Sequence, residues 1–171
     1  MTTDTKLTTL GYSDVRTYAW AVLFVGCNML VPQLFHLIPQ GGIIFAPLSL
    51  VILVAAYRFG WLTGLLAAVA SPVANHLAFG MPAAGVMGLM ALKLSVLAVV
   101  AGLVARRTGR ATMVLLAGVV LAAELIGGAG EWLLTGGLTA TIADFTIGWP
   151  GLLLQVVGGY VLINLRKDAM E

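Results

Sequence analysis

From residue 17 onward the chain alternates between long apolar runs and short polar breaks. The runs cover residues 17–37, 42–57, 61–79, 83–105, 111–135 and 147–165. A helix needs roughly 20 apolar residues to cross a hydrocarbon layer of about 30 Å, so each run is read as one membrane crossing. The second is the shortest and contains Pro47, which predicts an irregular outer end. Turn signals separate the runs: Pro39-Gln40-Gly41, Arg58-Phe59-Gly60, Gly80-Met81-Pro82, residues 106–110 and the glycine-rich stretch 136–150. In lipid only helices and closed barrels satisfy every backbone group, and runs this long exclude the ten-residue strands of a barrel. The pattern therefore predicts an all-α membrane protein, a bundle of six transmembrane helices. One membrane domain covers residues 15–167, between a polar segment 1–14 and a short tail 168–171.

Composition agrees with that reading. Apolar residues make up 60% of the 171 positions and charged residues only 9%, against about 25% charge in a typical soluble domain. Too few polar side chains exist to coat a water-facing surface. Residues 1–14 lack the basic start and short apolar core of a signal peptide, so the first run is expected to stay as a span.

Charge placement gives the orientation, because Lys and Arg collect on the cytoplasmic side. Lys6 and Arg16 precede the first run, Arg58 follows the second, Arg106, Arg107 and Arg110 follow the fourth, and Arg166 and Lys167 follow the sixth. The alternate connections contain neither residue type. Both termini are thus expected in the cytoplasm of an inner (cell) membrane. The net charge of +2 becomes a feature of topology, not of nucleic-acid binding.

Ionisable groups inside spans are costly and mark function or buried pairing. Three occur here: Lys93 in the fourth run, and Glu124 and Glu131 in the fifth. At about 1.5 Å per residue, Lys93 and Glu124 both lie roughly 15 Å below the outer ends of their spans, so the two are expected to meet. Asn28 and Gln155 fall at a similar depth. Nearer the outer surface come Glu131, Asn75, His76, Gln33, His36 and Trp132. The polar groups thin out toward the cytoplasm, which suggests a cavity open to the outside and not a continuous pore. The candidate ligand-binding residues are Lys93, Glu124, Glu131, Asn28, Asn75, Gln155, His76 and Trp132.

Each of these has a structural alternative. Lys93 and Glu124 can lock two helices together, and Asn28 and Gln155 can be interhelical hydrogen-bond glue. Trp20, Trp61, Trp132 and Trp149 all fall near span ends, where an aromatic belt explains them. Asp144, the sole acid of the 136–150 connection, is expected to be solvated. The spacing Gly60-Trp-Leu-Thr-Gly64 allows close helix approach, either within the bundle or against another membrane subunit.

Several chemistries are missing from the sequence. No glycine-rich phosphate loop ending in Lys-Ser or Lys-Thr occurs, so no ATPase is expected in this chain. A single cysteine, Cys27, and two histidines without ligand spacing give no metal site and no cofactor. No nucleophile set stands out, and an enzyme would need Glu124, Glu131 and His76 to converge. A binding component of a transporter, a stand-alone secondary transporter or channel, and a small intramembrane enzyme are the competing classes, the last the weakest.

The segment from Ile43-Ile-Phe-Ala-Pro-Leu-Ser to Arg58-Phe-Gly-Trp-Leu-Thr-Gly64 resembles the second and third helices of energy-coupling-factor transporter S components. Ser71-Pro72, Phe79-Gly-Met-Pro82, Met90-Ala-Leu-Lys-Leu94 and Ala101-Gly-Leu103 extend the resemblance, which covers residues 39–107. It implies a six-helix, membrane-embedded protein that captures a vitamin or related micronutrient from outside. Delivery would use a transmembrane coupling subunit and two cytoplasmic ATPases. Docking to the coupling subunit in that family often uses Ala-x-x-x-Ala in the first helix; Ala19, Ala21 and Gly26 are small here but do not give that spacing, Ala19 and Ala21 remain docking candidates, and Gly60 and Gly64 are further ones. Lys93 stands where relatives tend to carry Glu, a charge reversal that points to a different, anionic substrate.

Overall fold

The computed structural model describes residues 10–35, 39–137 and 139–165. His36 and the basic residues Lys6, Arg166 and Lys167 lie outside them. Within the described residues are the helices α1 (Val15–Phe35), α2 (Gly41–Phe45), α3 (Pro47–Phe59), α4 (Trp61–Phe79), α5 (Ala84–Thr108), α6 (Met113–Thr135), α7 (Thr139–Thr146) and α8 (Trp149–Asn164). No strand forms among them. Four helices, α1, α4, α5 and α6, are long and apolar enough to cross a membrane. The other two apolar helices, α3 and α8, are shorter, at 13 and 16 residues.

Two departures from the sequence pattern have local causes. The second apolar run breaks at Ala46, which adopts a left-handed conformation (φ 40°, ψ 55°) between α2 and α3. Pro47 crowds the residue before it out of the right-handed helical region, so the chain turns there and restarts with Pro47 at the first position of α3. The connection 136–150 is not a loop throughout, because it contains α7.

Packing places α3 at the centre. It touches α1, α4, α5 and α8, while α1–α4, α4–α5, α5–α6 and α6–α8 are neighbours around it and α2 bridges α8 and α1. Ile52, Leu53, Ala55, Ala56 and Tyr57 of α3 are all buried, as expected of a helix that is apolar on every side. Outward faces carry Val22, Leu30, Leu77, Val114 and Leu133 exposed, an apolar exterior suited to lipid. Close approach of α3 and α4 depends on Gly64, where a Cβ would come within 2.5 Å of the Ala56 Cβ. The Gly60–Gly64 spacing thus serves packing within this chain. Gly64 is covered by α3 and Ala21 is buried, so of the residues considered for docking to a separate subunit Ala19 is the exposed one and Gly64 is not free.

The basic segments gather at one end. Leu10 N donates to Phe59 O (3.2 Å), Tyr57 OH to Arg110 O (2.5 Å), Arg58 to Ile163 O (3.5 Å) and Asn164 to Ala111 O (3.5 Å). These bonds tie together the start of the chain, the α3–α4 turn, the α5–α6 turn and the end of α8.

A polar clasp joins α1 to α4. Pro32 inside α1 has no N–H, which leaves the Asn28 carbonyl without its intrahelical donor. Asn75 Nδ2 of α4 supplies one at 3.0 Å and also reaches Ser71 O at 2.9 Å, while Asn28 Nδ2 donates to Ser71 Oγ at 3.0 Å. All three side chains are buried. Asn28 and Asn75, candidate ligand contacts by sequence, are therefore engaged with each other's helices.

Asn75→Leu should lower stability by about 1–3 kcal/mol, the cost of a buried polar group left unpaired. In a Pro32→Ala background, where the carbonyl regains its helical donor, the same change should cost at least about 0.5 kcal/mol less. Thermal unfolding of the four proteins in detergent measures this coupling, and strictly additive losses would show that the clasp does not answer the proline.

Candidate functional site: an ionic cluster between α5, α6 and α7

Lys93 lies in the first half of α5, 13 residues (about 20 Å of helix) from Arg106 at the basic end. Its side chain starts opposite Gly127 of α6, whose absent Cβ would otherwise sit 3.3 Å from the Lys93 Cγ. Glu124 is three residues to one side of that glycine and Glu131 four residues to the other, so the ammonium has a carboxylate available in either direction. It extends outward. Lys93 Nζ donates to Glu131 Oε2 at 3.0 Å and also pairs with Asp144 Oδ2 of α7. The direction is that of the nearer end of its helix, nine residues away at Ala84 against 15 at Thr108, where a long cationic side chain most easily carries its head to a polar neighbour.

The expected Lys93–Glu124 pair does not form. Glu124 makes no ion pair or hydrogen bond among the described residues, and it is only partly buried. Equal depth along two helices was the argument for that pair. Depth alone ignores the roughly 6 Å reach of a lysine side chain (four methylene groups at the usual bond lengths), and it takes no account of α7.

Burial grades the three paired groups. Side-chain exposure is 8% for Glu131, 22% for Lys93 and 38% for Asp144. The Lys93–Glu131 pair is the buried one, and Asp144 closes it from the more exposed side. Asp144 is thus ion-paired and not freely solvated. What brings it there is the seating of α7 on α6: Thr141 Oγ1 donates to Gly128 O (3.3 Å) and to Glu131 Oε2 (3.5 Å). Gly128 makes the space, because a Cβ there would lie 2.5 Å from the Thr141 methyl. The sequence signal for this contact was available in part: a lone acid among apolar neighbours, beside a helix end rich in glycine.

The other candidates are placed elsewhere. His76 Nδ1 donates to Pro82 O at 2.8 Å and so braces the α4–α5 turn. Trp132 is 47% exposed on the outside of α6. Gln155 of α8 is only 1% exposed, and neither its Nε2 nor its Oε1 has a partner among the described residues. Its neighbours along the same face are Gly151, pressed against the α2 backbone at Ile44 and Phe45, and Gly159, pressed against Leu53 of α3. Gln155 therefore points into the bundle. A buried amide with all its hydrogen-bonding capacity unused is uncommon.

Chemically the arrangement offers one ammonium and three carboxylates (Glu124, Glu131 and Asp144), with a cover made of α7. It holds no activated nucleophile. No three His, Cys, Asp or Glu side chains converge as a metal site among the described residues. No protein-family model, curated protein or solved structure matches this chain.

Lys93→Met should destabilise the protein by about 3–5 kcal/mol, because Glu131 is left buried without its partner. The double change Lys93→Met/Glu131→Leu should recover most of that loss, whereas Lys93→Met/Glu124→Leu should recover little. Equal rescue by the two, measured by chemical or thermal unfolding in detergent, would return Glu124 to the role of partner. Asp144→Asn, at the exposed side of the cluster, should cost no more than about 1 kcal/mol.

Proposed function

We propose that this chain is a membrane-embedded binding component of a small-molecule importer, of the energy-coupling-factor S-component type. In this reading it captures a micronutrient from outside and releases it inward with a coupling subunit and two ATPases. It crosses the bacterial inner membrane six times, with both termini cytoplasmic. The short helices count as crossings because α3 and α8 pack beside the long ones, and α2 with α3 together run from Gly41 to Phe59.

One observation carries the reading. Charged groups from α5, α6 and α7 are collected beneath a covering helix, at the end opposite the basic residues. Charge of this kind within a bundle that is otherwise apolar marks a functional site by default. The absence of a phosphate-binding loop from the sequence fits a component that borrows its energy from partners.

The cluster also changes the ligand chemistry that the Lys93 charge reversal suggested. Lys93 is already held by two carboxylates, and Glu124 adds a third acid. The balance favours a ligand that is cationic or rich in hydrogen-bond donors, able to replace Lys93 at Asp144 as α7 lifts. Gln155 supplies an unused donor and acceptor deeper in the bundle.

A second reading has one observation in its favour. Glu124, without a partner, suits an ion-coupled transporter that works alone. Reconstitution separates the two: accumulation in liposomes by this chain alone, driven by an ion gradient, would support the stand-alone transporter.

Purified protein should carry or bind a small molecule identifiable by mass spectrometry of the released ligand. Glu124→Gln and Gln155→Leu should each weaken its binding about tenfold or more, as expected for one lost hydrogen bond to a charged or buried group. Unchanged affinity in both variants would remove these residues from the site. For topology, in a Cys27→Ala background a cysteine at Thr108 should react with impermeant reagents only from the cytoplasmic side, and one at Gly137 only from outside.

A further inference from the structure

A second polar site lies at the opposite end of the bundle. A cavity of about 300 Å³ is lined by Leu10, Gly11, Tyr12, Gly60, Trp61 and Leu62, with Arg106 of α5 as its charged member. That volume is at the lower limit of typical small-molecule sites, roughly 300–1,000 Å³. Its walls are fixed. Leu10 N donates to Phe59 O (3.2 Å) and Thr17 Oγ1 donates to Gly11 O (2.7 Å), which hold the start of the chain against the α3–α4 turn. The Tyr12 and Trp61 rings meet edge to face, 6.0 Å apart at 78°. Gly60 makes the turn itself with φ 104°, a conformation open to glycine.

We infer that this cavity binds a phosphate group, with Arg106 as its counter-charge. Arg106 makes no ion pair among the described residues. A guanidinium presents a planar fork of donors that matches phosphate oxygens. The surroundings are mixed in the way a phosphoglycerol unit requires: apolar Leu10 and Leu62, two aromatic rings of the kind that sit at headgroup level, and one cation. Arg16, Arg58, Arg107 and Arg110 share this end of the bundle and raise the local concentration of anions. The site is remote from the Lys93 cluster and does not depend on the importer reading.

The phosphate could belong to an anionic lipid or to a soluble phosphate ester, and the experiment has an arm for each. The full chain, purified in detergent, is titrated with phosphatidylglycerol or phosphatidylcholine and followed by native mass spectrometry. Glycerol 3-phosphate is then added as a competitor. One phosphatidylglycerol per chain should bind in preference to phosphatidylcholine. Arg106→Gln should weaken it about fivefold or more, the worth of one basic residue near a membrane surface. Arg106→Lys should keep much of the binding, and Arg107→Gln, outside the cavity lining, should change it little. Displacement by glycerol 3-phosphate, lost in Arg106→Gln, would identify the soluble ester as the source while keeping the site. Equal losses in Arg106→Gln and Arg107→Gln, or none in either, would overturn the proposal, because a diffuse basic surface or no phosphate site would then explain the result. Arg106 is exposed at the last turn of α5, so its variants should fold, and an unchanged melting temperature verifies this.

Discussion

An ammonium group inside an apolar bundle needs a counter-charge within reach, and much of the half of this protein away from its basic end is arranged to provide one. Removing a charge from water without a partner costs several kcal/mol at the least. Lys93 meets that requirement through Glu131 on the neighbouring helix and Asp144 on α7. Two glycines make the geometry possible. Gly127 leaves room for the lysine stem, and Gly128 lets α7 sit close enough for Asp144 to close the pair. A Cβ at Gly128 would push against Thr141 and the seat of α7, whereas one at Gly127 would ask the lysine stem to give by only a few tenths of an ångström.

The half at the basic end is held by different means. There α3 is the element that the others surround, and its small residues set the spacing: Ala56 faces Gly64, and Trp61 at the start of α4 faces Gly102 of α5. Hydrogen bonds to backbone carbonyls then join the chain segments at the basic end. The Asn28–Ser71–Asn75 clasp meets a demand created by Pro32. Each of these polar contacts answers a backbone or side-chain group that lipid cannot solvate.

Element positions were legible in the sequence because apolar run length is a direct consequence of membrane thickness. The run 61–79 coincides with α4, and those at 83–105, 111–135 and 147–165 lie within three residues of α5, α6 and α8. Ala46 was less legible: Pro47 announced an irregularity, but the left-handed turn before it accompanies the packing of α2 against α8 and α1. Glu131 and Lys93 stood out as charges in apolar sequence, yet their pairing could not be read from depth, since a lysine stem spans more than a helical turn. Asp144 escaped for a related reason, as only the fold returns α7 to α6. Asn75 looked like a ligand contact because its true partner, a carbonyl freed by Pro32, lies 47 residues away in sequence.

The two ends are closed by interactions of different kinds, and that difference governs how the bundle can move. Backbone-directed hydrogen bonds at the basic end are short-ranged and indifferent to salt. The α7 cover rests on a half-exposed carboxylate, whose attraction to Lys93 weakens as ionic strength rises. Added salt therefore weakens the ionic part of the α7 contact, while the Thr141 bond to the Gly128 carbonyl and the bonds at the basic end keep their strength.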